Sequence, residues 1–216
     1  MNNSNTLFWE RYQKAPVVGI SRGHSLDEIL KIAEAYEEAG LTTLEITMNT
    51  AGASRMISAL RTQFPALNIG AGTVCNLSDL KDAIDAGAQF IVTPIIDDIV
   101  ITHAVDQEIP IFPGAFSPSE IYKAWSLGAS AVKVFPATQL GVQYIKDVLA
   151  PLNNIKLLPT GGVSLSNVRS FFEAGAFGVG MGSSLFDKKL IGTGDFNGLK
   201  KHFVDVKAEL GDMIKS

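Results

Sequence analysis

The chain has 216 residues, 46% of them hydrophobic and 19% charged, with a formal net charge of −4. That balance is globular and core-rich, and with lysines and arginines scattered rather than blocked it argues against nucleic acid as a partner. A lone cysteine, Cys75, excludes an intrachain disulfide, and no segment is apolar over the length a membrane span needs, so a cytoplasmic location is expected. The opening stretch, MNNSNTLFWERYQKAP, lacks a signal-peptide core and predicts an extra helix before Val17. PVVGIS is the first strand. SLDEILKIAEAYEEAG opens on Ser25 with Glu28 three residues on, a capping box, and stops at Gly40. TLEIT and NIGAG are strands two and three, and NLSDLKDAIDAGA is the helix after them. FIVT and IPIFPG follow, then the helix SPSEIYKAWSLGAS, strand six in AVKVFP, and strand seven in KLLPTGG. SLSNVRSFFEAGA, read as capped by its small residues, leads to strand eight, FGVGMG.

Most of these strands are rich in Val and Ile, as strands buried on both faces are. A recurring (A/L)GA joint returns the chain from helix to strand, glycine taking the left-handed turn. Eight strand–helix units over residues 1–216, with no linker between them, predict one (β/α)8 barrel domain. The competitor is a doubly wound open sheet. The first turn, GISRGHS, lacks GxGxxG, which weighs against its dinucleotide-binding form.

In such barrels ligands meet the carboxyl ends of the strands. The residues there are Arg22, Glu45 with Thr47 and Asn49, Thr73, Pro94, Gly114, Lys133, the TGG of 160–162 and the GSS of 182–184. Side chains alternate along a strand, so Val132 and Val134 face the helices while Lys133 and Phe135 face inward. The same rule sends Leu44 and Ile46 outward and Glu45 inward, setting a carboxylate and an amine across one interior. Such a pair can also be purely structural. The glycine-rich turns after strands seven and eight favour a ligand, because those two loops are where barrels commonly hold phosphate on backbone N–H groups. His24, His103 and His202 lie far apart, and no motif has metal-ligand spacing. Thr73 and Ser117 can serve simply as helix caps, and Cys75, Trp9 and Trp125 read as packing residues.

The stretches LEIT, GAGTV, GAQFIVTP, PGAFSPSE, VKVFPA, PTGGVS and GSSLF run in order from about Val17 to Phe186. Together they resemble the 2-keto-3-deoxy-6-phosphogluconate / 4-hydroxy-2-oxoglutarate aldolases. The resemblance implies a barrel of the class I type, working without a metal or other cofactor and usually trimeric. It implies a phosphorylated 2-keto-3-deoxy sugar acid and pyruvate as its small-molecule partners. By the same route Lys133 matches the Schiff-base lysine and Glu45 the acid/base residue. Thr73, Phe135 and Pro94 match the substrate pocket, and Gly161, Gly162, Gly182, Ser183 and Ser184 the phosphate site. One departure stands out: many members carry an arginine for the substrate carboxylate where this chain has Asn49, an amide that can hydrogen-bond a carboxylate without a charged fork, and Arg22 is placed to take over part of that anion binding. The 2-keto-3-deoxy-6-phosphogalactonate branch shares an RG after strand one, an Asn after strand two and a stretch like LGVQYIK. A phosphosugar isomerase or epimerase, or a noncatalytic sugar-phosphate binder, would use the same loops without forming an imine.

Overall fold

The computed structural model describes residues 3–213. Helix α1 (Asn3–Lys14) leads into β1 (Val17–Ser21), α2 (Leu26–Glu38), β2 (Thr43–Thr47), α3 (Ala53–Gln63) and β3 (Asn68–Gly72). Then come α4 (Leu77–Asp85), β4 (Ile91–Val92), α5 (Asp98–Asp106), β5 (Ile111–Phe112), β6 (Gly114–Ala115) and α6 (Pro118–Ser126). The chain continues with β7 (Val132–Val134), α7 (Ala137–Leu149), β8 (Leu157–Pro159), α8 (Val168–Glu173), β9 (Val179–Met181), α9 (Lys188–Thr193) and α10 (Phe196–Leu210).

All pairings are parallel, in the orders β5-β4-β3-β2-β1-β9 and β6-β7-β8. The two arcs join into a ring. At one seam β5 and β6 are one strand interrupted at Pro113, which has no N–H to give the ladder. At the other, Thr160 bridges Gly180 and the Phe177 N–H donates to the Leu157 carbonyl at 2.8 Å. The eight expected strands are therefore present, one of them split, and the fold is the (β/α)8 barrel.

Alternation sorts the core into two parts. Val17, Leu44, Ile46, Ile69, Val132, Val134 and Val179 point outward into one large cluster with the helices. Val18, Phe90, Val92, Phe112, Ala131 and Leu158 point inward. Helix α1 closes the amino ends of the strands, where Phe8 and Tyr12 join that inner cluster. The Asn68 amide donates to the Phe8 carbonyl at 2.9 Å, and the Thr42 hydroxyl to the Arg11 carbonyl at 2.8 Å. The expected extra helix thus exists and serves as a plug.

Local chemistry follows the sequence at most helix starts. Ser25 with Glu28, and Ser117 with Glu120, both form complete capping boxes. Two expectations need correction. Thr73 caps nothing: the side chain capping α4 belongs to Asn76. The stretch opening on Ser164 starts its helix later, at Val168, and Asn167 sits at the N-cap without a side-chain capping bond. Asn167 instead accepts the Ser164 N–H at 2.8 Å, so a turn precedes the helix.

Candidate functional site

Strand β2 carries Glu45 inward, where it is 1% exposed. Among the described residues its Oε2 has no hydrogen-bond partner, and its Oε1 fills the space that a Cβ on Gly72 would need. Burial raises the carboxyl pKa to about 7, against the pull of Lys133 and then of Arg22. Lys133, on β7, is 6% exposed. Burial lowers its pKa below the ordinary lysine value; Glu45 opposes the shift and Arg22 adds to it. Its Nζ stands 4.8 Å from the centroid of the Phe135 ring. Among the described residues no ion pair within 4.0 Å joins Glu45 to Lys133. Each is nonetheless the strongest charge acting on the other.

Arg22, at the exit of β1, donates to the Thr73 hydroxyl at 3.3 Å. Thr73 sits at φ 56, a left-handed conformation that costs a non-glycine residue about 1–2 kcal/mol. Thr50 ties this corner together, accepting from the Gly23 N–H at 3.1 Å and lying 3.0 Å from the Thr47 hydroxyl.

Beside this group opens a cleft of about 550 Å³, lined by Arg22, His24, Phe135, Thr160, Ser164, Phe186, Lys188 and the loops of residues 161–162 and 182–184. Gly162 takes φ 75, and a Cβ there would press on Thr138 at 2.8 Å. The Leu185 and Phe186 N–H groups both donate to the Gly182 carbonyl, at 2.9 and 3.0 Å, so the chain begins a helical turn there. The N–H groups of Gly162, Ser183 and Ser184 donate to no acceptor among the described residues. Free N–H groups at the start of a turn are an anion cradle. The two loops are locked together, because the Ser184 hydroxyl donates to the Val163 carbonyl.

The structure thus brings Arg22, Phe135, Gly161, Gly162, Gly182, Ser183 and Ser184 to one cleft. Lys133 adjoins it through the Phe135 ring, and Thr73 through Arg22. Glu45 adjoins it through its charge interactions with Lys133 and Arg22. Like Lys133, Thr73 and Glu45, two further expected residues stay outside the cleft lining. Asn49 is exposed and makes no hydrogen bond among the described residues. Pro94 lies over Gly114, where a Cβ would come within 2.5 Å of its carbonyl. Sequence reasoning missed His24, Thr50 and Lys188. His24 follows Arg22 by two residues in the same turn, a usable signal; Lys188 offered none. Among the described residues no group of three His, Cys, Asp or Glu side chains could hold a metal ion. Nor is any helix there long and apolar enough to cross a membrane.

Comparison with known proteins bears on this site. A family profile described as "Aldolase: KDPG and KHG aldolase" matches residues 9–202. The 2-dehydro-3-deoxy-phosphogluconate aldolase of Pseudomonas aeruginosa is 37% identical over 182 residues, 84% of this chain and 81% of its own. The 2-dehydro-3-deoxy-6-phosphogalactonate aldolase of Escherichia coli is 36% identical over 176 residues, 80% of this chain and 85% of its own. A crystal structure of KDPG aldolase from Legionella pneumophila, with pyruvate captured at low pH as a covalent carbinolamine intermediate, is 27% identical. It superposes with a TM-score of 0.83, covering 95% of this chain and 98% of that one.

Proposed function

Since this chain belongs to the KDPG and KHG aldolase family, we propose that it cleaves 2-keto-3-deoxy-6-phosphogluconate to pyruvate and glyceraldehyde 3-phosphate through a Schiff base on Lys133. The observation that carries this reading is a buried amine facing a buried carboxyl beside an anion cradle. An ammonium cannot attack a ketone, and burial lowers the cost of losing its proton. Lys133 adds to the C2 carbonyl; the carbinolamine formed loses water to give an iminium. Glu45 takes the C4 hydroxyl proton as the C3–C4 bond breaks, and the electron pair flows to the iminium nitrogen. The aldehyde leaves, the enamine is protonated at C3, and hydrolysis frees pyruvate and the amine. The carbinolamine held by the Legionella pneumophila relative is the kind of intermediate this route requires.

In this reading the loops of 161–162 and 182–184 hold the distal phosphate, positioning the ketone against the amine. Arg22, with Thr73 as its partner, takes the C1 carboxylate. Phe135 forms the wall between the two ends of the substrate. A second reading, cleavage of the galactonate epimer, is favoured by Asn49 itself and by the near-equal identity to both kinds of relative. Pyruvate release from the two C4 epimers, coupled to lactate dehydrogenase, decides between them. Faster release from the gluconate epimer supports the first reading; faster release from the galactonate epimer installs the second; none from either overturns both.

We also propose a cytoplasmic homotrimer. The exposed Ile95, Ile99, Phe116 and Tyr122, on and beside α5 and α6, form an apolar surface suited to a like surface on another copy. Light scattering at three times the chain mass is expected, and a monomer would contradict it.

A further inference from the structure

The lining of the cleft holds three basic side chains, Arg22, His24 and Lys188, and no acidic one, in a chain whose net charge is −4. Arg22 already has a partner in Thr73. Among the described residues His24 and Lys188 have no hydrogen bond or ion pair with any other group. The His24 ring is half-buried and set edge-on to Phe186, with centroids 6.1 Å apart, so it is held in place from the apolar side while its nitrogens remain unbonded. Lys188 begins α9, and it reaches the same cleft from the β9 side.

We propose that His24 and Lys188 are specificity-determining residues that grip the distal dianionic phosphate alongside the glycine loops, and that protonation of His24 ties this grip to pH. The proposal rests on the aldolase reading and deepens it. The backbone cradle alone offers hydrogen bonds to any oxyanion. Two unpaired basic side chains, His24 taking up its proton on binding, add a preference for a doubly charged group over a hydroxyl or a single charge. The groups facing His24 are few. Lys188 repels its charged form from α9, and Glu28 attracts it from the first turn of α2. The Glu28 carboxylate is itself engaged by the Ser25 N–H and hydroxyl, both at 2.7 Å. Arg22 is the neighbouring cation on the same turn, and His202 on α10 points to the Ser184 carbonyl. Burial first, against the pull of Glu28 and with the help of Lys188, lowers the ring below the ordinary histidine value, which favours its neutral form when no anion is bound. A dianion between the two groups reverses that balance, and binding then takes up a proton. Affinity consequently rises as pH falls toward the His24 value.

Inorganic sulfate is the suitable probe, because it stays a dianion where the substrate's own phosphate titrates, near pH 6. Thermal-shift titration with sulfate needs no turnover, and it runs on wild type, His24→Asn and Lys188→Met between about pH 5.5 and 8. Wild-type affinity should fall about tenfold across that range, and the dependence should flatten in His24→Asn. Lys188→Met should bind roughly threefold more weakly at every pH, the scale of an exposed charge. In pyruvate release, both variants should lose preference for the phosphorylated substrate over its dephosphorylated counterpart, with the loss in KM rather than kcat. Identical sulfate curves in all three proteins, or no sulfate binding at all, overturn the proposal. So does equal loss on both substrates. Sulfate binding that follows the pattern, with no pyruvate released from either substrate, upholds the grip and defeats the aldolase reading instead.

Discussion

At the amino ends of the strands the barrel interior is aromatic and dry, whereas at the carboxyl ends it is polar and open. Phe8, Tyr12, Phe90 and Phe112 are fully buried in the first region, with Phe8 5.5 Å from Phe90 and Tyr12 5.5 Å from Phe177 between ring centroids. The second region holds Glu45, Lys133, Arg22 and two glycine loops with free N–H groups. The contrast explains why an amine can work at this place. Lys133 pairs in register with Leu158, a member of the aromatic cluster, so the oily half desolvates the nitrogen from below while the cleft admits substrate from above. One end supplies stability and the low dielectric; the other supplies the chemistry.

The sharpest way to break this division is Lys133→Met. Cleavage should be abolished, by at least about 10⁴-fold in kcat, with the melting temperature unchanged or higher, since a buried amine is exchanged for an apolar side chain. Residual cleavage near the wild-type rate would place the nucleophile elsewhere.

Glu45→Gln comes next, with a loss of about 10²–10⁴-fold in turnover if Glu45 moves the C4 proton. It also has a stability signature. Folding raises this carboxyl from 4.5 to about 7, so the folded protein keeps a proton that the unfolded chain releases. The favourable contribution is present below pH 4.5 and is lost as pH rises through 7, a change of about 3 kcal/mol. Wild type should therefore lose stability on going from pH 4.5 to 8 relative to Glu45→Gln, as read by urea unfolding at each pH. Parallel curves would mean that the carboxyl is not strained by burial.

At the other end, Phe8→Ala should cost about 3–5 kcal/mol in urea unfolding while kcat per folded molecule holds. A comparable loss of kcat would show that the plug shapes the site. The smallest effect belongs to Tyr12→Phe. Among the described residues the buried Tyr12 hydroxyl has no partner, so its removal should stabilise by up to about 1 kcal/mol. A marked loss would reveal a bond that this hydroxyl makes.

The same division governs what the sequence discloses. Alternation in AVKVF and LEIT places Lys133 and Glu45 correctly, because a strand's facing depends only on parity once one face is known to be oily. The glycine loops are legible for a similar reason: backbone conformation at Gly162 demands that residue type locally. What stays hidden depends on approach through space. The Arg22–Thr73 contact spans 51 positions, and Lys188 reaches the cleft from a helix that no motif marks. Asn49 shows the converse, since a motif position implies a role but no hydrogen bond among the described residues ties the exposed side chain to the site. A break at Pro113 is readable from the residue but not its place at a barrel seam, which is a property of the closed ring.

At the centre of the proposed reaction stands the nitrogen of Lys133, whose pKa burial lowers and which, on this reading, bonds to the ketone. Borohydride reduction in the presence of pyruvate, followed by peptide mapping in the mass spectrometer, tests this directly. A single reduced pyruvate adduct on the peptide containing Lys133, absent from Lys133→Met, is the expected result. No adduct, or one confined to other lysines, would contradict it.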